Sequence, residues 1–176
     1  MFGLFKKDIS AGKVVGGLVV KVEGVKVRID KSARKIGIVR DRDYEYQSHV
    51  MCYIIGTAAI NLSNYNDAEK VLLGITFSEV WGKKVNMYTD KVMTHDDLVG
   101  CFTTFYSRFN MLVKLFHKFD ETIECLYDYL IMCLYEEGGE DAWKIVGNVS
   151  KEISLTLEVM ITDLNQSNKK YKLVSL

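Results

Sequence analysis

The sequence predicts a mainly α protein, an antiparallel helical bundle with one long central helix and a small antiparallel β hairpin or meander at its N-terminus. Three observations carry that expectation. The 176-residue chain has no proline, where average usage would give roughly nine, and long uninterrupted helices tolerate such a composition better than a loop-rich enzyme does. From about Tyr44 onward, apolar residues recur at steps of three and four, the helical period. Before that point they alternate, the period of a strand with one buried face. The chain is long enough to bury a core. At 48% hydrophobic it is too apolar for a disordered segment, and four cysteines are too few for a disulfide scaffold. The expected organisation is a basic appendage over 1–43, a helical domain over 44–164 and a tail over 165–176.

The first residues, Met1-Phe2-Gly3-Leu4-Phe5-Lys6-Lys7, place apolar side chains before lysines. A secretory signal needs the opposite order, and myristoylation needs glycine directly after Met1. The run from Val14 to Val22 is interrupted by Gly16, Gly17 and Lys21, and no window approaches the ~20 apolar residues of a membrane span. A tether or docking segment, a cytoplasmic location and four reduced thiols (Cys52, Cys101, Cys125 and Cys133) are expected.

The alternating segment reads as a hairpin. Leu18, Val20 and Val22 are followed by Glu23-Gly24 and then by Val25, Val27 and Ile29. With Glu23-Gly24 as the turn, Val22 meets Val25, Val20 meets Val27 and Leu18 meets Ile29, all on one face. Ile36 and Ile38 can add a third strand after the connection Asp30-Lys31-Ser32-Ala33. The other face sets Lys21 opposite Lys26, a like-charge pair that costs about a few tenths of a kcal/mol. It therefore offers a basic surface from Lys21, Lys26, Arg28, Arg34 and Lys35. Phe, Tyr and Trp are absent from Gly12 to Asp43, so nucleic-acid contact there would be phosphate contact without base stacking.

Charge separates the same way. Residues 1–43 hold eleven basic and five acidic side chains, net +6, and the remainder holds twelve against eighteen, net −6. The basic segment faces an anionic surface, or it meets the acidic part within one chain or between copies.

The first helix is expected to end near Asn61 and to turn Tyr46, Val50, Tyr53, Ile54, Thr57 and Ile60 inward. Asn66 caps the next, with Glu69 completing a capping box. Ala68, Val71, Leu72 and Ile75 are its expected inward residues, and it fades near Gly82. The strongest pattern follows. Capped by Thr94, it runs Leu98, Phe102, Phe105, Phe109, Leu112, Phe116, Phe119, Ile123, Leu126, Leu130 and Cys133, to Gly138-Gly139. About 40 helical residues reach roughly 60 Å, whereas a compact globule of this length is about 40 Å across. The excess points to an elongated molecule, a bend or a second copy. A last helix from Glu140-Asp141 to about Leu164 would bury Trp143, Val146, Val149, Ile153, Leu157, Met160 and Leu164. Asn165 to Lys170 is expected to be mobile, and Tyr171 to Leu176 can add a strand or dock a partner.

Catalytic signatures are missing. Gly12-Lys13 lacks the first glycine and the hydroxyl residue of a phosphate loop, and no GxSxG, HExxH or CxxC occurs. His49 and Cys52 stand one turn apart without further zinc ligands. His95 lies at a helix start. His117, Asp120 and Glu124 share a face but lack a matching Glu-x-x-His, so neither metal nor cofactor is expected. The functional expectation is a non-enzymatic protein–protein interaction module, a homo-oligomeric adaptor or an inhibitor of the immunity type. The alternatives are a small-molecule sensor or carrier with an aromatic-lined pocket, and phosphate-backbone nucleic-acid binding through the basic hairpin.

Overall fold

A computed structural model of the chain describes residues 6–35, 37–88 and 155–174. The described chain runs through β1 (Lys7–Ser10), α1 (Ala11–Lys35), α2 (Arg42–Leu62), α3 (Asp67–Asn86), a helix over 155–170 called α4, and β2 (Tyr171–Val174). It is mainly helical, with one short two-stranded sheet in which β1 and β2 run parallel, Lys7 beside Tyr171 and Ser10 beside Val174. Among the described residues, no helix is long and apolar enough to cross a membrane.

The hairpin expected over residues 18–29 is not formed; these residues lie within α1. Leu18, Val22, Val25 and Ile29 fit both periods. The residues beyond them decide the outcome, because Ala11, Val15 and Ala33 extend the same four-and-three spacing and all are buried. The helix leaves Val20 and Val27 outside, 68% and 65% exposed. It gains a continuous apolar stripe that packs on α2 and α3, where a hairpin alone would be marginal in water. Four glycines, Gly12, Gly16, Gly17 and Gly24, weaken α1, each by about 1 kcal/mol relative to alanine. Burying one side chain such as Leu18 or Ile29 offsets about two of them. Residues 11–35 are thus part of the core rather than an appendage.

Both ends of α1 are capped. The Lys13 N–H donates to Ser10 Oγ at 3.3 Å. At the other end Gly37, at φ 79°, donates to the Arg34 carbonyl, and Ile38 N–H donates to the Ala33 carbonyl at 3.0 Å. These are the paired bonds of a Schellman stop, for which glycine accepts the positive φ. Ile38 packs on the core instead of entering a third strand; Ile36 lies outside the described residues.

The helix α2 starts two residues before Tyr44, with the Asp41 carboxylate accepting from the Tyr44 N–H at 2.8 Å. Residues 48–60 are buried without a break, so α2 is the central helix of the described structure and is apolar nearly all round. The capping box of Asn66 and Glu69 opens α3 as expected. The inward face of α3 differs from the expected one. Leu73, Phe77, Trp81 and Val85 are buried, while Val71 and Ile75 are 61% and 41% exposed. The reason is shape: a Cβ on Gly56 would lie 2.7 Å from Phe77 Cε1 and closer still to Cζ. The absent side chain is the slot for the Phe77 ring. Tyr53 shares a 2.7 Å hydrogen bond with Ser78, and Trp81 Nε1 donates to the His49 carbonyl at 2.9 Å. As numbering falls along α2 it rises along α3, so the two helices lie antiparallel.

Leu157, Met160 and Leu164 of α4 are buried, as their spacing predicts. The segment expected to be mobile is helical through residue 170. Asn165 Oδ1 accepts from the Asn64 N–H at 2.6 Å, and Asn168 Nδ2 donates to the Asn64 carbonyl at 2.8 Å. Polar residues here dock on the α2–α3 connection, and Tyr171 to Val174 then form β2. The long helix expected over 94–137, with His95, His117 and three of the cysteines, lies outside the described residues.

Candidate functional site

The five basic residues of the expected binding face are dispersed around α1. Lys21, Arg28 and Lys35 recur at steps of seven and share one flank. Along it Lys21 pairs with Asp163 at 2.6 Å, and Arg28 Nη1 donates to Thr156 Oγ1 at 2.5 Å. These contacts join α1 to α4 in opposite chain order. Arg34 and Lys35 are exposed in the last turn, where positive charge offsets the helix dipole. Lys26 points the other way and is buried, 8% exposed. The like-charge opposition of Lys21 and Lys26 disappears, because in a helix they stand on different sides.

Around Lys26 the structure closes a ring of alternating charge. Lys26 Nζ donates to Asp30 Oδ1 at 2.6 Å and to Glu45 Oε2 at 2.9 Å. On the far side Arg40 Nε donates to Glu45 Oε1 at 2.8 Å, and Nη2 reaches Asp30 Oδ2 at 3.3 Å and the same Glu45 oxygen. Two cations and two carboxylates therefore balance, which is the condition for charge to be tolerated away from water. The Tyr44 hydroxyl donates to Asp30 Oδ1 at 2.7 Å. Burial, then that bond, pushes the Tyr44 phenol well above its ordinary value. Burial pushes the Glu45 carboxyl up, but the hydrogen bonds and charges of Lys26 and Arg40 outweigh it and leave it low. The bond to Glu45, above all, raises Arg40.

His49 stands one turn beyond Glu45. Its Nδ1 is 2.7 Å from the Glu45 carbonyl. A carbonyl only accepts, so Nδ1 carries the hydrogen and the neutral ring keeps its lone pair on Nε2. The ring stacks on Tyr88, 4.9 Å between centroids, and tilts against Trp81 at 6.0 Å. Burial lowers the His49 pKa, the backbone bond to Glu45 opposes this, and the Lys26 charge lowers it further. Cys52, one turn on, is fully buried, and burial pushes its thiol well up, the environment of an inert thiol. Among the described residues, no group of three or more His, Cys, Asp or Glu could hold a metal ion.

The sequence reading missed Asp30, Arg40, Tyr44 and Glu45 as a set. One signal was present: Lys26 and Asp30 stand at i and i+4, a helical ion pair once the segment is read as helix. The contacts to Arg40 and Glu45 depend on the path the chain takes after the turn at Gly37, which no local pattern encodes. Comparison with known proteins finds no matching family model, no matching curated protein and no matching solved structure.

Proposed function

We propose that the protein is a non-enzymatic protein-binding module, a homo-oligomeric adaptor or inhibitor built on an antiparallel helical bundle, and that the outer side of α1 is its self-association surface. One observation carries this reading. The middle of that side presents Gly16, Gly17, Val20, Gly24 and Val27 to solvent, where an ordinary solvent-facing helix carries charge. A Cβ at Gly16, Gly17 or Gly24 would meet nothing within 4 Å, so nothing in the described fold requires those glycines. The order Gly17, Val20, Gly24, Val27 has gaps of three, four and three, and reversal exchanges glycine for valine at every position. Two α1 helices crossing antiparallel about a twofold axis would therefore set each valine over a glycine of the other copy. An isologous contact needs that self-complementarity, and glycine lets two backbones approach closely.

Charge supports the reading in a second way. Lys21 and Arg28 are engaged with α4, and Lys26 is buried in its ring. Three of the five residues of the basic face are thus committed within the chain, and phosphate binding is left with little of its expected surface. Glu23, beside the valines, pairs with Lys84, which removes its repulsion toward its own copy across the axis.

Light scattering over a range of concentrations tests the proposal. The unsubstituted chain is expected to show a dimer whose fraction rises with salt, because Lys13 of one copy approaches Lys31 of the other. Val20→Glu with Val27→Glu is expected to give a folded monomer of unchanged helicity, since both positions are exposed. A chain that stays monomeric at high concentration, or a dimer indifferent to both substitutions, would overturn it.

A further inference from the structure

We infer that His49 is a proton-operated latch between α2 and α3, and that taking a proton on Nε2 releases the C-terminal end of α3 at Trp81 and Tyr88. The inference stands on geometry and does not depend on what α1 docks.

Three features of the site make protonation disruptive. His49 is 9% exposed, and Nδ1 is committed to the Glu45 carbonyl, so an added proton must enter at Nε2. The charges nearby already balance: Lys26 and Asp30 from α1, Arg40 from the connection and Glu45 from α2 form a closed neutral ring. Both oxygens of Glu45 are taken by Lys26 and Arg40, and its nearer approach to the imidazole is 3.8 Å. A protonated His49 would thus be a third cation among two carboxylates. From α3 come Trp81, Tyr88 and, across the Trp81 ring at 5.0 Å, the Lys84 ammonium. In a desolvated site the aromatic faces can hold a cation by about 2 kcal/mol, less than the several kcal/mol that burying an unpaired charge costs. The element that meets the imidazole face to face is the end of α3, so a charge placed there acts on it first. Its last turn carries Lys83 and Lys84, and Tyr88 follows the Met87 cap and stacks on the imidazole.

The direction of the pH response follows. The folded chain holds the His49 proton less tightly than an unfolded chain does, because burial disfavours the imidazolium. Near neutrality the folded state therefore binds fewer protons. The latch is closed above about pH 6.5, the ordinary histidine value, and opens as pH falls from there through the lowered folded value. Glu45 is also shifted down. Its own contribution begins to be lost only below the ordinary carboxylate value near pH 4.5, so the His49 response starts at the higher pH.

The experiment follows Trp81 emission in a Trp143→Phe chain, which leaves one of the two tryptophans, alongside the His49 ring resonances by NMR between pH 8 and 5. The expected result is a red shift of Trp81 emission with a midpoint below 6.5, coincident with His49 protonation and with helicity otherwise retained. His49→Gln is expected to abolish that transition and to keep the acid transition of the carboxylates. If His49→Gln fails to fold, the resonances of the histidine-containing chain decide. An identical transition in His49→Gln, protonation of His49 without a Trp81 response, or a His49 that stays neutral until the whole chain unfolds would each overturn the latch.

Discussion

On the side of α1 that faces α2, Lys26 is 8% exposed and answers to Asp30 and Glu45 at 2.6 and 2.9 Å. A turn and a half away Lys21 meets Asp163 at 2.6 Å as well, but with side chains 33% and 48% exposed. The two pairings have the same chemistry and the same length. They differ in what replaces a lost partner. Water solvates an abandoned Asp163, whereas Asp30 and Glu45, with side chains 16% and 13% exposed, would keep only Arg40 and the Tyr44 hydroxyl. Distance is thus a poor guide to the energetic weight of an ion pair, and burial a better one.

The same contrast holds for glycine. Gly56 stands where α2 and α3 touch and is filled by the Phe77 ring, whereas Gly16 faces open space. One glycine is required by its neighbour. The other weakens a helix without any described contact asking for it.

Four substitutions test both contrasts. The largest effect is expected from Lys26→Ala, which strands two carboxylates beside a single Arg40 and should cost about 3 kcal/mol or more. Denaturant unfolding would measure it, and a loss below about 1 kcal/mol would mean that water enters the ring. Gly56→Ala comes next, at about 2–3 kcal/mol from overpacking against Phe77. Its partner Gly16→Ala should raise the unfolding free energy by about 0.5–1 kcal/mol through helix propensity and the unfolded chain. Equal signs for the two would contradict the assigned surroundings of Gly56 and Gly16. The smallest change belongs to Asp163→Asn, expected within about 1 kcal/mol and fading as salt rises. A salt-insensitive loss near that of Lys26→Ala would place the Lys21–Asp163 pair among the buried interactions.

How far the fold could be read varies with the ambiguity of each segment. Over Asn66 to Glu69 the reading is sharp, since a capping box requires particular side chains three residues apart and both bonds form. Along α2 the helical spacing holds over several turns, and the element extends from Arg42 to Leu62. Valine defeats the same method in α1. Leu18, Val22, Val25 and Ile29 satisfy a strand face and a helix stripe alike, and the extra pair Val20 and Val27 favours the strand. Only packing on α2 and α3 separates the two, because it rewards the stripe that reaches Ala11 and Ala33. In α3 two apolar stripes compete. The one with Phe77 and Trp81 turns inward because Gly56 offers a slot and the His49 carbonyl offers an acceptor.

The site was less legible than the fold. Lys26 and Arg28 were visible as basic residues, but their opposite fates depend on the helical turn between them. Arg40 and Glu45 belong to the ring because Gly37 reverses the chain and carries α2 back along α1. Such a meeting is a property of the path, not of any window of residues.

Local sequence was enough for the helices α2 and α3, the cap at Asn66 and the burial of Leu157, Met160 and Leu164 in α4, since each depends on residues within a few turns of one another. The tertiary structure decided the state of α1, the inward face of α3 and the charge ring, since each depends on what a distant segment brings into contact. Local chemistry can leave two periods or two faces nearly equal in free energy, and burial against a specific neighbour then chooses between them.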